Sequence, residues 1–250
     1  MSDLDALTEA LPRIRDGILV TLELTAGGAL LAFVLALTLG TTVRTRSLLV
    51  RGPARVLIEF FRGTSLLVQI FWLFYVLPLL GYQLDPVFCG ILALGLNYGA
   101  YGAEVVRGAL NSVPAAQSEA AVALGFSGWQ RLRRILFPQA WALMLPPLTN
   151  LLVHLLKGSA LASYITLQDL TFEIGKLRQS TGDTLFSFGV GLLIYFVIAY
   201  VLTLGMNLLE ARAKHKLGRG PALREVLRLA PDQAVETVAD TASARRKAAR

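Results

Sequence analysis

Five stretches of this chain are apolar over about the length a helix needs to cross a bilayer, roughly 20 residues. Residues 24–43 carry no charge, and the helical pattern starts near Gly17 with Glu23 inside it. Residues 63–84 are uncharged and rich in Leu, Phe and Trp; residues 86–103 are uncharged and hold Gly90, Gly95, Gly99 and Gly102. Residues 135–156 contain His154 as their one ionisable group, and residues 184–209 form the longest clean run. None alternates polar and apolar with a period of two, which disfavours a transmembrane β-barrel. Helices satisfy their own backbone hydrogen bonds in lipid, so the pattern predicts an all-α integral membrane protein. The predicted spans are about 17–43, 60–84, 86–107, 135–160 and 184–210. They lie in one transmembrane domain, residues 17–210, between an external segment 1–16 and a basic tail 211–250.

Composition agrees. Hydrophobic residues make up 54% of the 250 and charged residues 16%, against roughly 25% charged in a soluble domain. The net charge of +7 would suggest nucleic acid in a soluble protein. Here its placement sets orientation. With the N-terminus outside, Arg44, Arg46, Arg51, Arg55, Arg107, Arg131, Arg133, Arg134 and the ten Lys and Arg after residue 210 lie inside. Arg13, Arg15, Lys176 and Arg178 lie outside, among eight acids. The chain is therefore expected N-outside and C-inside, in contact with lipid and not with nucleic acid. Its leader is acidic before it is basic, unlike a cleaved signal peptide. The tail after Gly218, with Pro221 and Pro231, reads as a partly disordered extension. Its basic end can touch anionic lipid or simply sit solvated.

The long connection 108–134 has local signals for two short helices. Pro114 suits a first turn. Ala115 to Leu124 are mostly strong helix formers, and Gly125 can end that helix with a positive φ. Ser127 and Gln130 then form an S-x-x-Q capping box. Pro138, Pro146 and Pro147 are expected to kink or break the fourth span.

These residues carry a resemblance. Glu119-Ala120-Ala121, Gly125 and Ile135-Leu136-Phe137-Pro138 match, at every spacing, the E-A-A, G, I-x-L-P signature of bacterial ABC-importer permeases, with Phe137 replacing Leu. Tyr101 to Leu110, Val113-Pro114, Gln117, Pro138-Gln139-Ala140, and Phe60-Phe61-Arg62-Gly63-Thr64 with Gln69 resemble the polar amino-acid uptake subfamily. The resemblance runs from about Gly17 to Glu210. It implies a five-helix, type I importer fold in the bacterial cytoplasmic (inner) membrane. It also implies a second permease subunit, an external solute-binding protein, and an ABC ATPase that docks on the 108–134 coupling loop. Glu119, Ala120, Ala121, Gly125, Ile135 and Pro138 would form that coupling element. ATP and magnesium would sit on the partner ATPase, with no cofactor on this chain.

Ionisable groups in spans are costly and need partners or a cavity. Glu59 and Arg62, and Glu104 and Arg107, are each three apart and can pair. Arg62 can equally snorkel, and Arg62, Glu104 and His154 are candidates for the translocation pathway or its gating. His154 and Lys157 share a helical face with Asn150. Lys157 either holds a substrate carboxylate or snorkels to the outer interface. Gln69, Asn97 and Asn150 are candidate pathway amides or interhelical hydrogen-bond groups. Gly95, Gly99 and Ala103 form a stripe suited to close helix packing.

Lys157-Gly158-Ser159-Ala160-Leu161 keeps only the Lys and Leu of the subfamily's K-D-T-S-L. Ser65 stands where the subfamily commonly has Pro. A compatible solute such as ectoine thus stays open beside a polar amino acid. No P-loop, nucleophile elbow or metal-ligand spacing appears, so an enzyme is not expected. A channel or secondary transporter working without an ATPase would predict internal repeats, and none is evident.

Overall fold

A computed structural model describes residues 3–45 and 47–216. The tail beyond 216, including its basic end, lies outside the described residues, as do the side chains of Leu4 and of residues 214–216. The described residues are all helix, turn and irregular chain, with no strand.

Nine α-helices follow in order: α1 (Asp3–Thr42), α2 (Leu48–Gly63), α3 (Leu66–Phe71), α4 (Pro86–Asn111), α5 (Ala115–Ala123), α6 (Gly128–Arg131), α7 (Phe137–Ser159), α8 (Leu170–Thr181) and α9 (Thr184–Lys216). Residues up to Met206 form one unit. The described part of the second unit, from Asn207, is the end of α9.

Three helical stretches are long and apolar enough to cross a membrane: Asp5–Thr42, Gly128–Ile165 and Thr184–Ala213. A fourth exists if the bent pair Leu48–Gly63 and Leu66–Leu80 counts as one span. α4 is not among them, although at 26 residues it is long enough; thirteen of those residues are buried.

α4 is the central strut. The ideal Cβ at Gly95 would run into Leu31, and at Gly102 it would stand 2.7 Å from the Ala36 Cβ. At Gly40 it would lie 2.6 Å from the Ala103 carbonyl oxygen. Contacts therefore advance together along both chains, so α1 and α4 run parallel, with backbones close enough to exclude side chains. α7 runs the other way. Leu155 meets the α1–α4 seam at Gly28, whereas Leu136 clusters with Val106 and Leu110.

Four expectations need correction. The first helix does not begin near Gly17. It starts at Asp3, because Ala6, Ala10 and Ile14 bury a four-residue stripe against Leu170, Ile174 and Leu177 of α8. The expected span 60–84 is not one helix. α2 begins back at Leu48, and the chain turns by 104° between Gly63 and Leu66. From Leu66 to Leu80 it then widens into a π-helical turn (Trp72–Val76) and tightens into a 3₁₀ turn (Leu77–Leu80). The connection 108–134 is shorter than expected at its start, since α4 continues to Asn111. Of the kink or break expected at the prolines of the fourth span, the break is absent at Pro146 and Pro147, where α7 stays helical. The irregularity falls earlier, in a π-helical turn at Leu132–Leu136 just before Pro138. There the Gln139 side-chain amide donates to the Ile135 carbonyl at 3.2 Å.

Candidate functional site

The α5–α6 turn is built by local chemistry. Gly125 sits at φ +76°. Its N–H donates to the Val122 carbonyl at 2.9 Å, and the Phe126 N–H donates to the Ala121 carbonyl at 3.0 Å. That pair of bonds closes the helix end as a Schellman motif. The Ser127 hydroxyl accepts the Gln130 N–H at 3.3 Å, and the Gln130 side-chain oxygen accepts the Ser127 N–H at 2.9 Å. Two helix ends are thus satisfied within six residues, which fixes the turn without help from elsewhere.

The turn presents Glu119 and Ala120 to solvent, with Val122, Leu124 and Trp129 also exposed at 56%, 73% and 68%. Large apolar groups exposed this far have nothing to bury them among the described residues. Ala121, expected to offer a close approach to a partner, is instead buried in the fold at 1% exposure. Ile135 is half-buried and Pro138 exposed on the following helical segment.

A second group of residues gathers at the elbow between α2 and α3. Breaking a helix strands its last carbonyls, and here side chains take them up. The Thr64 hydroxyl donates to the Phe60 carbonyl at 2.8 Å. Gln69 and Asn97 both donate to the Phe61 carbonyl at 3.0 Å. The Tyr101 hydroxyl donates to the Arg62 carbonyl at 3.1 Å. Gln69 and Asn97 also bond each other at 3.4 Å, and both are buried. They therefore tie α2, α3 and α4 together at this elbow.

Arg62 lies over the Tyr101 ring at 5.4 Å and pairs with Glu59 at 3.7 Å. Its Nε is buried without a hydrogen bond. Arg107 grips Glu104 through Nε and Nη2, at 2.9 and 2.6 Å. Both i,i+3 pairs expected from spacing are thus present.

Asn150, His154 and Lys157 lie on one exposed face of α7. Among the described residues, no side chain pairs with theirs. Tyr98 lies beside this stripe, where its hydroxyl donates to the His154 carbonyl at 2.8 Å and crowds Gly158, one turn further on.

Sequence reasoning missed Tyr98, Tyr101 and Thr64. The triplet Gly63-Thr64-Ser65 inside an apolar run was the available signal for the elbow. It also missed a polar knot where α8 begins. The Asp169 Oδ1 caps α8 by accepting the Phe172 N–H at 3.0 Å, while Oδ2 is buried without a partner. The Thr21 hydroxyl accepts the Leu170 N–H at 3.1 Å, and Thr171 bonds the Tyr195 hydroxyl at 2.8 Å. Burial, opposed by donation from Phe172, raises the Asp169 carboxyl from its ordinary 3.8 to about 6.

Residues 44–215 match the family model of the binding-protein-dependent transport system inner membrane component. The chain is 44% identical over 201 residues to a probable amino-acid ABC transporter permease, y4tF, of Sinorhizobium fredii, covering 78% of this chain and 84% of that one. It is 32% identical over 202 residues to the L-cystine transport system permease TcyB of Bacillus subtilis (80% and 86% covered). It is 36% identical over 203 residues to the octopine transport system permease OccM of Rhizobium radiobacter (78% and 83% covered). Among solved structures, a chain of an amino acid ABC transporter crystallised with histidines superposes with a TM-score of 0.77 at 29% identity. That match covers 85% of this chain and 99% of the other. A chain of the inward-facing MetNI methionine ABC transporter, at 19% identity and a TM-score of 0.70, shares the fold. The chain belongs to the binding-protein-dependent transport system inner membrane component family, among its amino-acid ABC transporter permeases.

Proposed function

We propose that this transmembrane permease subunit crosses the bacterial cytoplasmic membrane five times, N-outside, and moves a polar amino acid or related zwitterion inward. The parallel run of α1 and α4 supports the count. Two parallel crossings need a return between them, and the bent α2–α3 segment supplies it. α7 then returns and α9 crosses again. The ends of α1 and α4, and the start of the α6–α7 segment, gather Arg44, Arg51, Arg55, Arg107, Arg131, Arg133 and Arg134 at one end, the expected inner side.

The observation that carries the reading is the exposed α5–α6 turn at the E-A-A signature. A separate ATPase subunit seats there, on Val122, Leu124 and Trp129, with Glu119 offering a carboxylate to a donor on its surface. Five helices cannot easily enclose a path alone, so a second permease subunit, identical or similar, completes it. The Asn150–His154–Lys157 stripe faces that path, where Lys157 receives the solute carboxylate. An external binding protein delivers the solute. Membership in a binding-protein-dependent family argues against an autonomous channel. A compatible solute such as ectoine is the second cargo, favoured by the altered Lys157–Leu161 segment.

The test is reconstitution with the ATPase subunit in liposomes, measuring ATP-dependent uptake with the binding protein outside. Uptake that needs nucleotide and fails for Gly125→Asp supports the reading. Nucleotide-independent uptake by this chain alone refutes it.

A further inference from the structure

The end of α1, the start of α2 and the end of α4 border an open cavity of about 290 Å³. Its lining is Val43, Arg44, Arg51, Arg55, Arg107 and Asn111. Four of the six are arginines, and no carboxylate lines the cavity. Glu104, one turn back on α4, is held by Arg107. The side chains of Arg44, Arg51 and Arg55 make no hydrogen bond or ion pair among the described residues. Arg51 and Arg55 are four apart on α2, an arrangement in which like charges repel. Burial, and then the charge of nearby Arg131, lowers the pKa of Arg44. Arg107 is paired with Glu104, whose charge also reaches Arg55, so the fold sets four guanidinium groups against one carboxylate and leaves an excess of positive charge.

Guanidinium groups present planar forks of donors that match phosphate oxygens. The choice between a free anion and a lipid follows from α2. Beside its arginines, this helix exposes Leu48, Leu49, Val50, Val56 and Leu57, at 48–89%. A helix with basic residues and large exposed aliphatic ones lies in a membrane interface. A basic pocket between transmembrane helices at that level takes a lipid headgroup.

We propose that this cavity binds the phosphodiester headgroup of an anionic phospholipid, with the acyl chains lying along the aliphatic side of α2. Bound there, the lipid neutralises the arginine cluster and holds the helix that leads into the α2–α3 elbow. The proposal rests on the transmembrane reading of the chain, and on neither its cargo nor its ATPase.

Native mass spectrometry of the full chain in detergent tests it, with phosphatidylglycerol and phosphatidylcholine of identical acyl chains as probes. The wild type retains phosphatidylglycerol in preference to phosphatidylcholine. R51Q/R55Q weakens phosphatidylglycerol retention roughly thirtyfold. R133Q/R134Q removes the same charge from the π-helical turn and keeps the preference. Equal retention of the two lipids by the wild type overturns the proposal without need of any variant. So does equal loss in both double variants, which would mark bulk electrostatics. Full displacement of the lipid by millimolar inorganic phosphate would make this a free-anion site and also overturn it. No ATPase or solute enters the measurement, so failed coupled transport leaves a positive lipid result standing, and the reverse holds too.

Discussion

The Asn97 amide donates to the Phe61 carbonyl at 3.0 Å, from the middle of α4 to the last turn of α2. Gln69 donates to the same oxygen from α3, so three elements meet on one backbone acceptor. The acceptor exists because the helix stops two residues later. Asn97→Ala removes one donor and leaves the Gln69 oxygen short of a partner. It should lower stability by about 1–3 kcal/mol, seen as earlier thermal unfolding in detergent. The KM for solute in folded, reconstituted protein should stay at the wild-type value. Wild-type stability with an altered KM would instead place Asn97 on the pathway.

Gly125 holds φ +76° with open space around its Cα. The constraint there is backbone conformation and not crowding. A side chain in the left-handed region costs about 1–2 kcal/mol, with Asn the mildest. Gly125→Val should therefore uncouple ATP hydrolysis from uptake far more than Gly125→Asn, although neither side chain meets a neighbour. Equal loss in both would show that steric exclusion of the partner matters more than the turn.

The α5–α6 turn was legible in the sequence because its determinants are local. Gly125, Ser127 and Gln130 act within six residues, Gly125 through its positive φ and the other two through side chains bonded to each other's backbone N–H. The α2–α3 elbow was not legible. Residues 63–84 read as an uncharged run, and the groups that stabilise the break, Asn97 and Tyr101, lie more than thirty residues away. The early start of α1 was partly visible. Ala6, Ala10 and Ile14 keep a helical stripe, but six charged residues between Asp3 and Asp16 hid it from a hydropathy reading. Pro146 and Pro147 do not break α7, since surrounding groups in a membrane protein can take up the backbone groups that a proline frees.

Gly40 is constrained by space. A Cβ there would sit 2.6 Å from the Ala103 carbonyl oxygen and 2.8 Å from the Val106 Cβ. Backbone cannot yield as a flexible side chain does, so α1 and α4 would have to part. Gly40→Ala should cost about 1–3 kcal/mol, measured as reduced thermal stability and yield of folded protein. The same change at Gly108, which has nothing within 4 Å, should be nearly silent. Loss at both sites would point to a helix-wide effect of glycine replacement.

Asp169 couples stability to pH in a direction unusual for an aspartate. Its carboxyl is raised from 3.8 to about 6 in the fold, chiefly by burial. Between those values the folded state binds the proton that the unfolded state has released. Stability from this group is therefore greatest below about pH 4 and is lost as pH rises to about 6, by roughly 3 kcal/mol in all. Asp169→Asn keeps an acceptor to cap α8 and cannot ionise. The difference in stability between wild type and variant, followed from pH 4 to 7, should move in the variant's favour as pH rises. A flat difference would mean that the Asp169 carboxylate is solvated in the protein.

Lys157 is the charged group of the exposed α7 stripe, and Tyr98 bonds the same helix beside it through the His154 carbonyl. Its ammonium has no partner among the described residues, so a solute carboxylate would meet it without displacing an internal ion pair. A charge-assisted hydrogen bond contributes about 1.5–3 kcal/mol. Lys157→Gln should therefore raise the KM for an anionic or zwitterionic solute roughly 10- to 100-fold. It should leave thermal stability and assembly with the ATPase intact, because the side chain anchors nothing in the fold. Lys157→Arg keeps the charge and should recover most of the affinity. Transport of the solute with wild-type KM by Lys157→Gln would remove the stripe from the pathway and leave the snorkelling reading in its place.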